Sequence, residues 1–64
     1  MIRINGEFFD YSEISLKDFL REQNYHPARI AVEVNEEIIP KSTYESFVLK
    51  DNDVVEIVSF VGGG

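Results

Sequence analysis

The residues best suited to chemistry close the chain, Ser59-Phe60-Val61-Gly62-Gly63-Gly64. Glycine has no side chain and loses more backbone freedom on ordering than any other residue, so three in a row add nothing to a core. They do offer a thin strip of main chain carrying one free carboxylate, on Gly64. At pH 7 a carboxylate is a poor electrophile but a usable nucleophile. Another enzyme could transfer AMP to it from ATP, making an acyl-adenylate open to attack by sulfur or nitrogen. The terminus would have to thread into an enclosed active site on that enzyme. Only glycine is narrow enough to pass, so Gly62 and Gly63 read as the threading residues and Gly64 as the modified one.

Nothing else in the chain suggests catalysis. There is no cysteine, hence no thiol nucleophile, disulfide or thiolate metal site, and the four-cysteine iron–sulfur option is excluded. The single histidine, His26, precedes Pro27 in a turn and lacks obvious partners for general-base work. Glu36-Glu37 and Asp51/Asp53 fall in expected turns and read as solvated turn formers, not as a carboxylate dyad or metal loop. The glycines open no helix, so there is no phosphate-binding loop. We expect no catalytic residue, no metal site and no bound cofactor.

A tail that threads must be presented by something rigid. Asn5-Gly6 between two β-prone stretches predicts a hairpin, Met1 to Ile4 against Glu7 to Tyr11, since both turn residues tolerate positive φ. Ser15 reads as an N-cap, with Asp18 at capping-box spacing and Ile14 placed to staple Phe19. A helix follows from Leu16 to Gln23 or Asn24, with Leu16, Phe19 and Leu20 on one face. Pro27 cannot continue it. Arg29 to Val34 alternates, with Ile30, Val32 and Val34 on the buried face. Asn35-Glu36 turns the chain into a short return to Ile39, ended by Pro40. Thr43 to Ser46 predicts a loop or single helical turn, pinned by Tyr44 and by Phe47 or Val48. Asp51-Asn52-Asp53 is a further turn, and Val54 to Val61 the longest strand.

In that strand Val55, Ile57 and Val61 would face the helix, leaving Val54, Glu56, Val58 and Phe60 outward. Val58 and Phe60 then form an exposed apolar pair beside the tail, a candidate partner surface. The element order puts one helix across a mixed sheet of four to five strands, first and last strands side by side. That is an α+β, β-grasp (ubiquitin-like) arrangement. We expect one domain over residues 1–61 and a flexible glycine tail at 62–64.

Length and charge narrow the classes further. A 64-residue chain buries only about 60% of its unfolded surface. With no disulfide, its core must come from the 44% of residues that are apolar. Twelve acidic residues against six basic ones give a net charge of −6. That balance argues against nucleic acid and anionic membrane surfaces and favours a basic protein partner. No apolar run reaches membrane-spanning length and no signal-peptide pattern begins the chain, so a cytoplasmic protein is expected.

Taken together, Asn35, Ile39-Pro40, Tyr44, Asp51-Asn52-Asp53, Val55 to Ile57 and Gly63-Gly64 resemble the ThiS family of sulfur carriers in thiamine biosynthesis. The resemblance spans essentially the whole chain. It departs at Asn52, where glycine is common, and in the third glycine, Gly62. It implies an E1-like adenylyltransferase, ThiF, that activates the Gly64 carboxylate with ATP and magnesium. A cysteine-desulfurase relay would then replace AMP with sulfur, and thiazole synthase, ThiG, would take that sulfur into the thiazole of thiamine. The chain would be a co-substrate and not an enzyme. Three alternatives stay open: a MoaD-like carrier for molybdopterin or another metabolite, a ubiquitin-like protein modifier, and a plain binding module with an inert tail.

Overall fold

A computed structural model describes residues 1–60. Strands β1 (Ile2–Ile4) and β2 (Glu7–Phe9) form the expected hairpin, with Ile2 opposite Phe9 and Ile4 opposite Glu7. Its turn holds Asn5 at φ 51° and Gly6 at φ 81°, the positive pair that matches the strands' right-handed twist. The chain then makes β3 (Glu13–Ser15) and enters helix α1 (Leu16–Glu22).

Ser15 caps this helix, its Oγ accepting from the Asp18 N–H at 3.2 Å. Only half of the capping box forms. The Asp18 carboxylate is shorter than the usual Glu and instead accepts from Arg21 Nη2 at 2.7 Å. The helix ends before the proline has any say. Asn24 adopts φ 61°, its N–H donates to Arg21 O, and the Tyr25 N–H reaches back to Leu20 O. This is a Schellman termination with asparagine in the left-handed position that glycine usually takes. Pro27 instead begins a 3₁₀ turn, Pro27–Arg29.

Next come β4 (Ile30–Val34) and β5 (Glu37–Ile38), joined by Asn35 and Glu36, both at positive φ. A second 3₁₀ turn covers Lys41–Thr43, starting two residues earlier than expected because Pro40 supplies its entry φ. Tyr44 and Phe47 pack it inward while Val48 stays exposed. The last strands are β6 (Val48–Lys50) and β7 (Val54–Ser59).

The main sheet runs β2-β1-β7-β4-β5, with β7 parallel to β1 and antiparallel to β4. The first and last strands therefore lie side by side at its centre, as expected. What alternation did not reveal is a second, two-stranded sheet, β3 against β6, which pairs Ile14 with Leu49. Each partner is three residues long, too short for a periodicity to show. One cluster fills the space between main sheet and helix: Ile2, Ile4, Ile30, Val32, Val34, Val55 and Ile57 beneath Leu16, Phe19 and Leu20.

Two asparagine side chains hold β7 in register. Asn5 Oδ1 accepts from the Ile57 N–H at 2.7 Å while its Nδ2 donates to Ile57 O at 3.2 Å. The amide thus imitates one more residue of β1. On the other flank Asn35 Oδ1 accepts from the Val54 N–H at 2.9 Å and its Nδ2 donates to Asp53 Oδ1 at 3.0 Å. Asn5→Ala removes both bonds and places alanine at positive φ, so a loss of about 2 to 3 kcal/mol is expected. Asn5→Gly removes the bonds alone and should lose about half as much. Urea midpoints decide this; an Asn5→Gly midpoint equal to wild type would mean that the amide contributes nothing.

Candidate functional site

Strand β7 organises the site. Its alternation is the expected one: Val55 and Ile57 are buried, while Val58 is 58% and Phe60 50% exposed. The strand is paired with β4 along its length, Val34 opposite Val55 and Ile30 opposite Ser59. Beyond it, the Phe60 N–H donates to Arg29 O at 2.7 Å, so the backbone is anchored up to Phe60, the last described residue. Val61, expected inward, and Gly62, Gly63 and Gly64 lie outside the described residues.

Phe60 is not bare on every side. The Lys41 ammonium sits 5.4 Å from its ring centroid and donates to Pro27 O at 3.2 Å. Local patterns carry no hint of this pair, because it joins the second 3₁₀ turn to the residue after β7. A cation over an exposed ring is worth about 0.5 to 1 kcal/mol.

The outward face of the main sheet carries more than Val58 and Phe60. Ile38 on β5 is 75% exposed, and Phe8 on β2 projects outward under the Arg3 guanidinium, 5.8 Å from its centroid. Glu33 and Glu56 stand directly opposite each other on β4 and β7. Alternation within β4 and β7 places each glutamate outward, but only the inter-strand register shows that they face each other.

The remaining candidates prove to be structural. His26 caps the 3₁₀ turn, its Nδ1 accepting from the Ala28 N–H at 3.3 Å. Asp51 accepts from the N-terminal ammonium of Met1, which holds its carboxyl below the usual carboxylate range. Asp53 bridges its own turn, Oδ2 accepting from the Lys50 N–H at 2.8 Å. Asn52 adopts φ 74°, so it fills a left-handed position where glycine is common. Among the described residues no group of three or more His, Asp or Glu side chains is placed to hold a metal, and no helix is long and apolar enough to cross a membrane.

One helix held against a mixed sheet, with a parallel first–last strand pair leading to a glycine tail, defines a ubiquitin-like β-grasp domain. The solved structure of a thiamine biosynthesis protein (ThiS) from Geobacter metallireducens superposes with a TM-score of 0.76 at 27% identity, covering 98% of this chain and 97% of that one. The ThiS family model matches residues 2–64, and the chain belongs to the ThiS family. Among its relatives, the sulfur carrier protein ThiS of Bacillus subtilis is 38% identical over 66 aligned positions, covering the whole of both chains. A thiazole synthase of Paramagnetospirillum magneticum is 42% identical over 62 positions, covering 95% of this chain but only 19% of that protein.

Proposed function

We propose that this chain is a sulfur carrier of thiamine biosynthesis that acts through the carboxylate of Gly64. The observation that carries the reading is a family match running through Gly64, on a domain whose central strand leads directly to that tail. The Gly64 carboxylate attacks the α-phosphorus of ATP, with magnesium, in the active site of a ThiF-type enzyme, and pyrophosphate leaves. A persulfide from a cysteine-desulfurase relay then attacks the acyl carbon and displaces AMP, and a thiol reductant cleaves the resulting acyl disulfide. The thiocarboxylate left on Gly64 donates sulfur to the thiazole through a ThiG-type synthase. The relative named thiazole synthase supports that last partner, since there a segment like this chain belongs to the same polypeptide. The carrier itself supplies no catalytic group. It supplies a rigid strand that precedes the tail in sequence, and Gly62 and Gly63, having no side chains, are narrow enough to enter a partner's active site.

Intact-protein mass spectrometry after co-expression with the activating enzyme and a sulfur source tests this reading. Exchange of one oxygen for sulfur, mapped to Gly64, is expected. An unchanged mass with partners of verified activity would overturn it.

Val58 and Phe60 serve docking in this scheme. Phe60→Asp is expected to weaken binding to the ThiF-type enzyme about thirtyfold, the range of a buried aromatic anchor. Stability should fall by less than about 1 kcal/mol, because the ring is half exposed and the new carboxylate still meets Lys41. A large drop in the melting midpoint with unchanged affinity would reverse the assignment.

A further inference from the structure

We infer that the recess between α1 and the two 3₁₀ turns binds a small aromatic phosphate, its ring against Tyr25 and Tyr44 and its phosphate among Lys17, Arg21 and Lys41. None of the residues lining this recess belongs to a strand, so it is separate from the sheet face that carries Val58.

The recess follows from how the helix stops. The left-handed Asn24 turns the chain away from the axis of α1, and Tyr25 to Ala28 then form one part of the wall. Lys41, Tyr44 and Glu45 form another. The hollow between them holds about 630 Å³, within the roughly 300 to 1,000 Å³ of small-ligand pockets.

Positive charge is concentrated there. The chain carries −6 overall, yet three of its six lysines and arginines and its only histidine line this one hollow, against a single carboxylate, Glu45. Lys17 and Arg21 stand four apart on the helix, a like-charged pair that repels. Their counter-ions leave donors over. Lys17 Nζ is 3.8 Å from Glu45, too far for a hydrogen bond, and Arg21 gives only Nη2 to Asp18. Lys41 Nζ donates to Pro27 O and keeps two further protons. His26 accepts at Nδ1, so its neutral ring carries the proton on Nε2, one more donor.

The apolar part of the wall supplies the rest. Leu20 and Tyr44 are buried and Tyr25 is half-buried. Tyr44 is only 5% exposed, and among the described residues its hydroxyl has no hydrogen-bond partner, although it is not sealed from solvent. A polar group so placed calls for a partner from outside the fold. Aromatic walls with convergent donors suit a ligand that is part ring and part anion. A phosphate answers several separated donors better than a carboxylate does, since it offers three strong acceptor oxygens.

Lys41 also ties the hollow to Phe60, whose ring centroid lies 5.4 Å from its ammonium. A phosphate that draws Lys41 inward uncovers that ring. Occupancy is therefore sensed at Phe60, which does not itself line the hollow.

Backbone amide NMR of the whole chain, titrated separately with AMP, adenosine and inorganic phosphate, tests this. AMP should move the amides of Arg21, Tyr25 and Tyr44, and that of Phe60 with them. Adenosine and inorganic phosphate should each bind at least about tenfold more weakly than AMP. Lys17→Gln/Arg21→Gln should weaken AMP about tenfold, and Arg3→Gln/Lys50→Gln, an equal charge change outside the hollow, by less than about twofold. Glutamine keeps the helix. Lys41→Gln repeats the test off the helix if the double variant melts lower. Tyr44→Phe should weaken AMP about threefold and keep its urea midpoint, since the hydroxyl it loses has no partner in the protein. Absence of any shift at millimolar AMP overturns the site. Equal weakening by the control reduces the effect to net charge and overturns it too. So does equal binding of adenosine, which removes the phosphate, or of inorganic phosphate, which removes the ring. None of these outcomes bears on sulfur loading at Gly64.

Discussion

Deletion of Gly64 alone is expected to reduce sulfur loading at least about a hundredfold while leaving the melting midpoint where it was. The shortened chain still ends in a glycine carboxylate, on Gly63, so no functional group is missing. What changes is reach: one residue spans roughly 3.5 Å. An adenylating site aligned for attack on phosphorus is sensitive to misplacement of about 1 Å, at about a hundredfold per ångström. Stability is spared because every buried apolar residue described lies at or before Ile57. Gly64→Ala separates reach from width, since it keeps the carboxylate's distance and adds only a methyl group. Intact mass and a thermal melt of each variant suffice. Full loading of the shortened chain would mean that the activating site accepts any glycine terminus, and the length of the tail would then carry no information.

The second large effect lies in the core. Phe19→Ala should cost about 3 to 5 kcal/mol. A 64-residue domain has a total stability of roughly 3 to 10 kcal/mol, so the variant should lose about a third or more of it and unfold at lower urea than any other variant named. Phe19 is fully buried, and two rings meet it edge-on, Phe9 at 5.2 Å and Tyr11 at 6.5 Å between centroids. Its loss therefore removes aromatic pairing as well as buried area. Phe8, one residue from Phe9, points to the opposite face, and Phe8→Ala should move the urea midpoint little. Comparable midpoints for the two variants would mean that the helix does not close this core.

These two cases show what one sequence can and cannot reveal. The hairpin, the helix start and the inward set on β7 were legible because each depends on residues within a few positions: Asn5 with Gly6, Ser15 with Asp18, Val55 with Ile57. The helix ends where expected, at Gln23 or Asn24, but the stop is the left-handed Asn24 and not Pro27. Asparagine does this more rarely than glycine, so its signal is weaker. The small sheet was missed because its partners are short and distant in sequence. The glycine tail and the Val58–Phe60 pair were visible as a pattern, but the face-to-face glutamates required the register of β4 against β7.

The position of β7 bears on how the protein is made. It is the last of these strands to be synthesised, yet it occupies the centre of the main sheet, and its bonds to Asn5 join residues 52 positions apart. A nascent chain stopped before Val54 would hold a hairpin and a β4–β5 pair with no strand to join them. Folding must await completion of the strand, and pairings this distant in sequence form slowly. An unfinished chain would expose apolar surface that cellular proteases recognise. Any copy that has folded has therefore acquired the strand that leads to its glycines, so folding screens out copies truncated before that strand.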